Sequence, residues 1–496
     1  MLFLGIDLGT SSIKVSIVDS DSGKAVGTAQ YPDIETSINS PQIGWAEQDP
    51  EMWWENTQMA IKRALSTSDF NGTDVSAIGI SYQMHGLVVV DKANKVLRPS
   101  IIWCDSRAVG QGQKAFETIG EERCLSHLLN SPGNFTASKL AWVKENEPDT
   151  FAQIDKIMLP GDYVALMLTG HVTCSNSGLS EGIFWDFKTN SISEDVLKHF
   201  GFSKSLFPEI KSVFSNHGEL KADIAVQLGL KSGIPVTYKA GDQPNNALSL
   251  NVLEPGEVAA TAGTSGVVYA VTDQVGYDPQ SRVNSFAHVN HRMKADENRL
   301  GVLLCINGTG ILNRWIKDNF GGGLNYAEMN DLASQATVGS LGLTVLPFGN
   351  GSERIFNNKN LGANFSNIDF NQHSQKHIFR ASQEGIAFSL KYGMDIMAET
   401  GDTPKVIRAG KANMFLSNVF VETIVNAAGV PVELYETDGS KGAALGAGIG
   451  LDYFKDPKEA FTKMEILAII EPDFSKKEQY ELAYSIWKKA LEKESV

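Results

Sequence analysis

Asp7 stands two residues before the turn Gly9-Thr10-Ser11, and this pairing of acid and turn is the first arrangement in the chain able to do chemistry. A glycine turn with hydroxyls presents backbone N–H groups in a concavity that suits a phosphate. An acid beside a phosphate makes sense through Mg²⁺, which bridges the two directly or through water. The plainer reading is a β-hairpin whose glycine only serves the turn, with Asp7 as a polar strand end. The motif recurs half a chain later as Gly263-Thr264-Ser265. The register holds beyond it: Ile13 matches Val267, Ser16 matches Ala270, Ile17 matches Val271 and Asp19 matches Asp273. Asp7 is matched by Thr261, so only the first loop carries the metal-directed acid. Two such hairpins predict two related domains, each with a phosphate loop.

Three further groups end apolar runs. Val75–Tyr82 leads into Gln83-Met84-His85-Gly86, a polar pair where an α/β protein places ligand groups, or a capped turn with His85 satisfied by backbone. Ile101–Cys104 leads to Asp105 and Arg107, which fit sugar hydroxyls or a structural ion pair with each other. Ile234–Lys239 leads through Ala240-Gly241 to Asp242 and Gln243, with a helix following. Asp242 there is a general base acting on a hydroxyl, in the field of the helix N-terminus, or an ordinary N-cap. Ala409-Gly410-Lys411-Ala412 permits close approach under a purine ring, or simple strand–helix packing.

The elements that position these groups follow from periodicity. Leu2–Ile6, Ile13–Asp19 and Lys24–Tyr31 read as strands, and Glu51–Ser66 as a helix with Asp49 and Pro50 at its start. Val302–Ile306 is a strand that leads through Asn307-Gly308-Thr309-Gly310 into a helix, and Ile378–Met397 is a long amphipathic helix. Ser175–Asp186 reads as a loop and hairpin. The small-residue run Gly442–Gly448 suits helices that slide at a hinge, or tight static packing.

A chain of 496 residues is too long for one core, which predicts two domains, residues 1–245 and 246–496. A net charge of −15 argues against nucleic acid as a partner. Cys104, Cys124, Cys174 and Cys305 lie far apart with no C-x-x-C pair, against zinc or a disulfide framework and in keeping with the cytoplasm. No leader pattern opens the chain, and no apolar run approaches ~20 residues, so no membrane partner is expected.

Taken together, the motifs resemble the FGGY carbohydrate kinases, within the actin/hexokinase/Hsp70-like ATPase superfamily. Gly5-Ile6-Asp7-Leu8-Gly9-Thr10-Ser11 is similar to the first phosphate loop, Gly263-Thr264-Ser265-Gly266 to the second, and Gly241-Asp242-Gln243 to the segment with the catalytic base. Phe135-Thr136-Ala137-Ser138-Lys139-Leu140-Ala141-Trp142 resembles a family signature. The resemblance implies an α/β fold of two RNase H-like domains with ATP and sugar in an interdomain cleft. It implies Asp242 as base, Asp7 as Mg²⁺ holder, and Gly9, Thr10, Ser11, Gly263, Thr264 and Ser265 at the phosphates. Gly310, Gly410 and Lys411 would flank the adenosine, and Met84, His85, Asp105 and Gln243 the sugar. Gln83-Met84-His85-Gly86, Trp45–Pro50 and Trp103–Arg107 imply D-xylulose as the acceptor. A homodimer is a family-level expectation.

Overall fold

The computed structural model describes residues 1–294, 297–356, 358–401 and 403–495. The chain forms two compact units. Unit 1 comprises Met1–Leu253, Phe286–Leu300 and Thr437–Met464; unit 2 comprises Glu254–Ser285, Gly301–Glu436 and Glu465–Val496. A single cut at 245/246 does not describe them, because the chain returns twice to unit 1.

Unit 1 is built on the strands Leu2–Leu8 (β1), Ile13–Asp19 (β2), Ala25–Tyr31 (β3), Val75–Tyr82 (β4) and Val236–Gly241 (β5), in the order β5-β4-β1-β2-β3. β1 is buried throughout except at Asp7, as expected of a strand covered on both faces. β1 and β2 pair antiparallel from Leu2↔Asp19 to Leu8↔Ile13. β4 runs parallel to β1, and β5 parallel to β4. The registers Leu8↔Tyr82 and Gly241↔Tyr82 bring the carboxyl ends of all three strands level. The residues that follow, Gly9, Gln83 and Asp242, therefore leave the sheet side by side.

Helix Pro50–Ser66 (α1) covers β2 and β3 with Trp53, Trp54 and Ile61. The Asp49 side chain accepts from the Glu51 N–H at 2.9 Å, and Pro50 holds the first helical position, both as the sequence indicates. The family-signature stretch forms helix Thr136–Asn146 (α2). Ser175–Asp186 departs from the expected loop and hairpin: its centre is a short helix, Asn176–Glu181 (α3), opened by the Ser175 hydroxyl, which accepts from Gly178 N–H. Ser175 itself closes a short strand, paired opposite Lys211, and Trp185–Asp186 pairs with Ser191–Ile192. Helix Asp242–Ser249 (α4) leaves β5 directly.

Unit 2 repeats the plan. Its strands Glu257–Ala262 (β6), Gly266–Thr272 (β7), Leu300–Ile306 (β8), Val406–Gly410 (β9), Val432–Tyr435 (β10) and Ile466–Ile470 (β11) lie in the order β8-β7-β6-β9-β10-β11. β6 and β7 form the antiparallel hairpin that matches β1 and β2, and β9 and β10 extend it in parallel. Helix Gly310–Phe320 (α5) begins beside the β6–β7 turn, and helix Gln375–Thr400 (α6) runs through the core.

Helix Gly439–Gly450 (α7) then rejoins unit 1 against β1, β4 and β5. The approach is backbone to backbone: a Cβ at Gly5 would stand 1.9 Å from Ser440 O, and one at Gly79 2.0 Å from Ala443 O. The small-residue run is thus tightly packed against the sheet. That surface explains the discontinuous unit, since only a helix without bulk fits it. Among the described residues no helix is long and apolar enough to cross a membrane.

Candidate active site

The level strand ends of unit 1 gather acids. The Ser81 hydroxyl, from β4, donates to Asp7 Oδ1 at 2.9 Å. Burial raises the Asp7 pKa, Ser81 and Lys14 draw it down, and Asp438 raises it further. The Asp438 carboxylate caps α7 by accepting from Lys441 N–H at 3.0 Å. Gly439 leaves room for Asp7, because a Cβ there would stand 2.5 Å from Asp7 Oδ2. The Asn245 side-chain amide donates to Gly439 O at 2.8 Å and ties α4 to the same corner.

Asp242 is the first residue of α4; the cap is Gly241, so Asp242 is not the N-cap. Burial pushes its pKa up to about 7, the Asp7 charge adds to the rise, and the Gln243 backbone and side chain pull back. A carboxyl that holds its proton near neutrality and keeps a window to solvent suits proton transfer.

The β1–β2 turn is fixed by a network that the sequence did not reveal. The Thr10 hydroxyl donates to Gln83 Oε1 at 3.1 Å and accepts from Trp103 Nε1 at 2.9 Å. Gln48 Nε2 donates to Thr10 O at 2.8 Å, and Gln48 Oε1 accepts from both Gln83 Nε2 and Trp53 Nε1. The Thr10 side chain thus spends its proton on Gln83. Gly9 N–H bonds within the turn, while the backbone N–H groups of Thr10 and Ser11 have no hydrogen-bond partner among the described residues. The β6–β7 turn matches it: the N–H groups of Thr264 and Ser265 are likewise without a partner among those residues. Both turns keep successive donors for a phosphate.

Of the expected sugar contacts, Met84 is buried, and its Cγ occupies the space where a side chain at residue 241 would start. Gln243 follows Asp242 in α4. His85 takes a left-handed backbone, φ 63°. Its Nδ1 lies 3.0 Å from Glu181 O, so part of the alternative reading, a histidine held by backbone, is realised. Asp105 is corrected outright. Oδ1 accepts from Arg107 N, and Oδ2 accepts from Ala46 N at 2.6 Å and from Arg107 Nε and Nη2 at 2.9 and 2.7 Å. Arg107 also pairs with Glu47 and stacks 3.8 Å from the Trp45 ring. The carboxylate is saturated and fully buried, a structural ion pair.

In unit 2, a cavity of about 350 Å³ is the right size for a nucleoside. It is lined by the β6–β7 turn at Gly263 and Thr264, by Gly310, Asn313 and Arg314 of α5, by Tyr326 and Asn330, and by the turn Asn413–Ser417. Gly310 N–H donates to Gly263 O at 2.8 Å, so the start of α5 closes on the turn. Asn313 keeps its buried Oδ1 without a partner among the described residues. Gly410 and Lys411 do not line the cavity. Lys411 N–H donates to Tyr435 O, which prolongs the β9–β10 pairing, and the chain turns under the cavity only afterwards. Ser265 is also outside the lining. Among the described residues no cluster of three or more His, Cys, Asp or Glu forms a metal cage.

Comparisons with known proteins agree over the whole chain. The family model for the FGGY family of carbohydrate kinases, N-terminal domain, matches residues 2–249, and its C-terminal counterpart matches residues 258–450. The chain is 31% identical to the xylulose kinase of Lactococcus lactis subsp. lactis (strain IL1403), covering 99% of this chain and 97% of that protein. It is 29% identical to the xylulose kinase of Escherichia coli (strain K12), covering 93% and 92%. Its fold superposes on the crystal structure of a xylulose kinase from Brucella ovis with a TM-score of 0.89 at 26% identity, covering 99% of this chain and 98% of that one.

Proposed function

We propose that this chain, which belongs to the FGGY family of carbohydrate kinases, transfers the γ-phosphoryl group of ATP to the terminal hydroxyl of D-xylulose, giving D-xylulose 5-phosphate and ADP. The observation that carries the reading is Asp242, a carboxyl with its pKa raised to about 7 at the end of β5, level with Asp7 at the end of β1. The choice of D-xylulose is supported by relatives of that name along nearly the full chain.

Phosphoryl transfer needs positioning and charge neutralisation more than covalent chemistry. In this reading Asp242 accepts the proton of the attacking hydroxyl as its oxygen bonds to the γ-phosphorus and the bond to the β-phosphate oxygen breaks. The N–H groups of Thr10, Ser11, Thr264 and Ser265 bind phosphate oxygens, and the unit 2 cavity holds the nucleoside. Met84, His85 and Gln243 contact the sugar.

The acid corner fits Mg²⁺: this ion uses one or two carboxylates, substrate phosphates and water rather than a protein cage, and Asp7 is an enclosed carboxylate with Asp438 nearby. Asp7 would hold it, and the ion would supply charge neutralisation at the β/γ-phosphates. The cytoplasm and a homodimer complete the reading; four free cysteines support the former.

The test is ADP release with Mg-ATP against D-xylulose, D-ribulose, L-ribulose, sedoheptulose, glycerol and gluconate. The expected result is the highest kcat/KM with D-xylulose. A higher value for another acceptor overturns the choice of sugar, and no acceptor-dependent ADP release overturns the kinase.

A further inference from the structure

The buried Glu181 and Lys139 meet at His85, and neither has a role in the transfer step. Glu181 ends α3, and its side chain is 2% exposed. Its Oε2 accepts from the His85 backbone N–H at 3.2 Å and lies 3.7 Å from His85 Nδ1. Lys139, in α2, is fully buried, and its Nζ donates to His85 O at 2.8 Å and to Ile102 O at 3.0 Å. The backbone of His85 is therefore gripped at both ends, N–H by an acid and C=O by an amine.

Such a grip has work to do. At φ 63°, His85 occupies a region that residues with a side chain rarely adopt and that persists only when neighbours enforce it. The ring is held as well. Nδ1 stands 3.0 Å from Glu181 O, and a carbonyl only accepts, so Nδ1 carries a proton and the ring orientation is fixed. Phe135 and Phe286 pack on the ring at centroid distances of 4.8 and 5.4 Å. α3 is fixed beside Phe286, since the Ser177 hydroxyl donates to Ala287 O at 2.8 Å and the Ser180 hydroxyl accepts from Ala287 N–H at 2.9 Å.

We propose that Glu181 and Lys139 are positioning residues that clamp His85 in its left-handed backbone conformation and so orient its imidazole toward the acceptor sugar. The proposal rests on the reading of His85 as a sugar contact, and it gives the segment around α3 its purpose. Burial draws the Lys139 amine down to about 7, and burial with the Asp242 charge raises the Glu181 carboxyl. A neutral amine still donates and a neutral carboxyl still accepts, so the clamp needs no net charge.

The test places Glu181→Leu, Glu181→Gln and Lys139→Met in the full-length enzyme, each alone and with His85→Ala. Glu181→Leu and Lys139→Met should raise the D-xylulose KM about tenfold, the weight of one lost hydrogen bond to a buried group, with the ATP KM unchanged. Glu181→Gln keeps an acceptor and should stay within about threefold of wild type. In the His85→Ala background both losses should disappear, because partners acting through one residue are not additive. Equal losses in that background, a parallel rise in the ATP KM, or an unchanged sugar KM overturns the clamp. The backbone ³J(HN–Hα) coupling and ¹³Cα shift of His85 give a readout independent of turnover: left-handed values in wild type, lost in Glu181→Leu. An inactive wild type with that backbone change overturns the kinase reading and leaves the clamp standing; an unchanged His85 backbone overturns the clamp.

Discussion

Asp242 is poised at the expense of stability. Its pKa is 3.8 as an ordinary side chain and about 7 in the fold. A carboxyl with a raised folded pKa lets the native state bind the proton more tightly than the unfolded state. No penalty exists below about 3.8; it grows as pH rises through the window and is complete above about 7. Asp242→Asn mimics the protonated form at every pH. The nucleotide-free variant should therefore match wild type near pH 4 and exceed its unfolding free energy by roughly 2–4 kcal/mol at pH 8, measured by urea denaturation. The same variant should lose about 10²–10⁴ in kcat, as expected when a general base is removed. A variant less stable than wild type at pH 8 would contradict the electrostatic origin of the shift. Asp242 was legible because it ends an apolar run just after a glycine, a local signal. Glu181 and Lys139 were not: their partner, His85, is far away in sequence, and nothing near either residue announces it.

The two hairpins, β1–β2 and β6–β7, were readable as elements because strand, turn and strand are contiguous and repeat in register. What closes on each turn was not. In unit 2 the start of α5 does so: a Cβ at Gly310 would stand 2.2 Å from Gly263 O. Gly310→Ala should push the helix off the turn and raise the ATP KM about tenfold or more, with the D-xylulose KM unchanged. Nucleotide titration by calorimetry checks it, and unaltered ATP affinity would show that the helix start is not needed there. The expected adenosine contacts at Gly410 and Lys411 lie outside the cavity lining, because the glycine pattern marks the end of β9 while the lining belongs to the next turn, Asn413–Ser417. Asp105 missed for the opposite reason. Its sequence context allowed a ligand or an ion pair, and Ala46 N–H and Arg107, brought to it by folding, decide for the pair.

At the scale of the molecule, the internal repeat foretold two units of one plan, and the later return of the chain to unit 1 was hidden. Small residues in Gly442–Gly448 told of close packing but not of the partner, since the complementary glycines, Gly5 and Gly79, lie at the other end of the chain. Residues 1–253 alone lack α7 and leave one face of the sheet bare. That fragment should show no cooperative thermal transition and should bind a hydrophobic dye, whereas the full chain should melt cooperatively; a sharply melting fragment would mean that α7 only decorates a finished core. The arrangement also has a consequence in time. A ribosome adds about 5–20 residues per second, so roughly 20–90 s separate the emergence of β1 from that of α7. Throughout that interval the nascent chain carries a sheet face awaiting its helix, which makes the newborn protein a natural client for chaperones that shield apolar surface during translation.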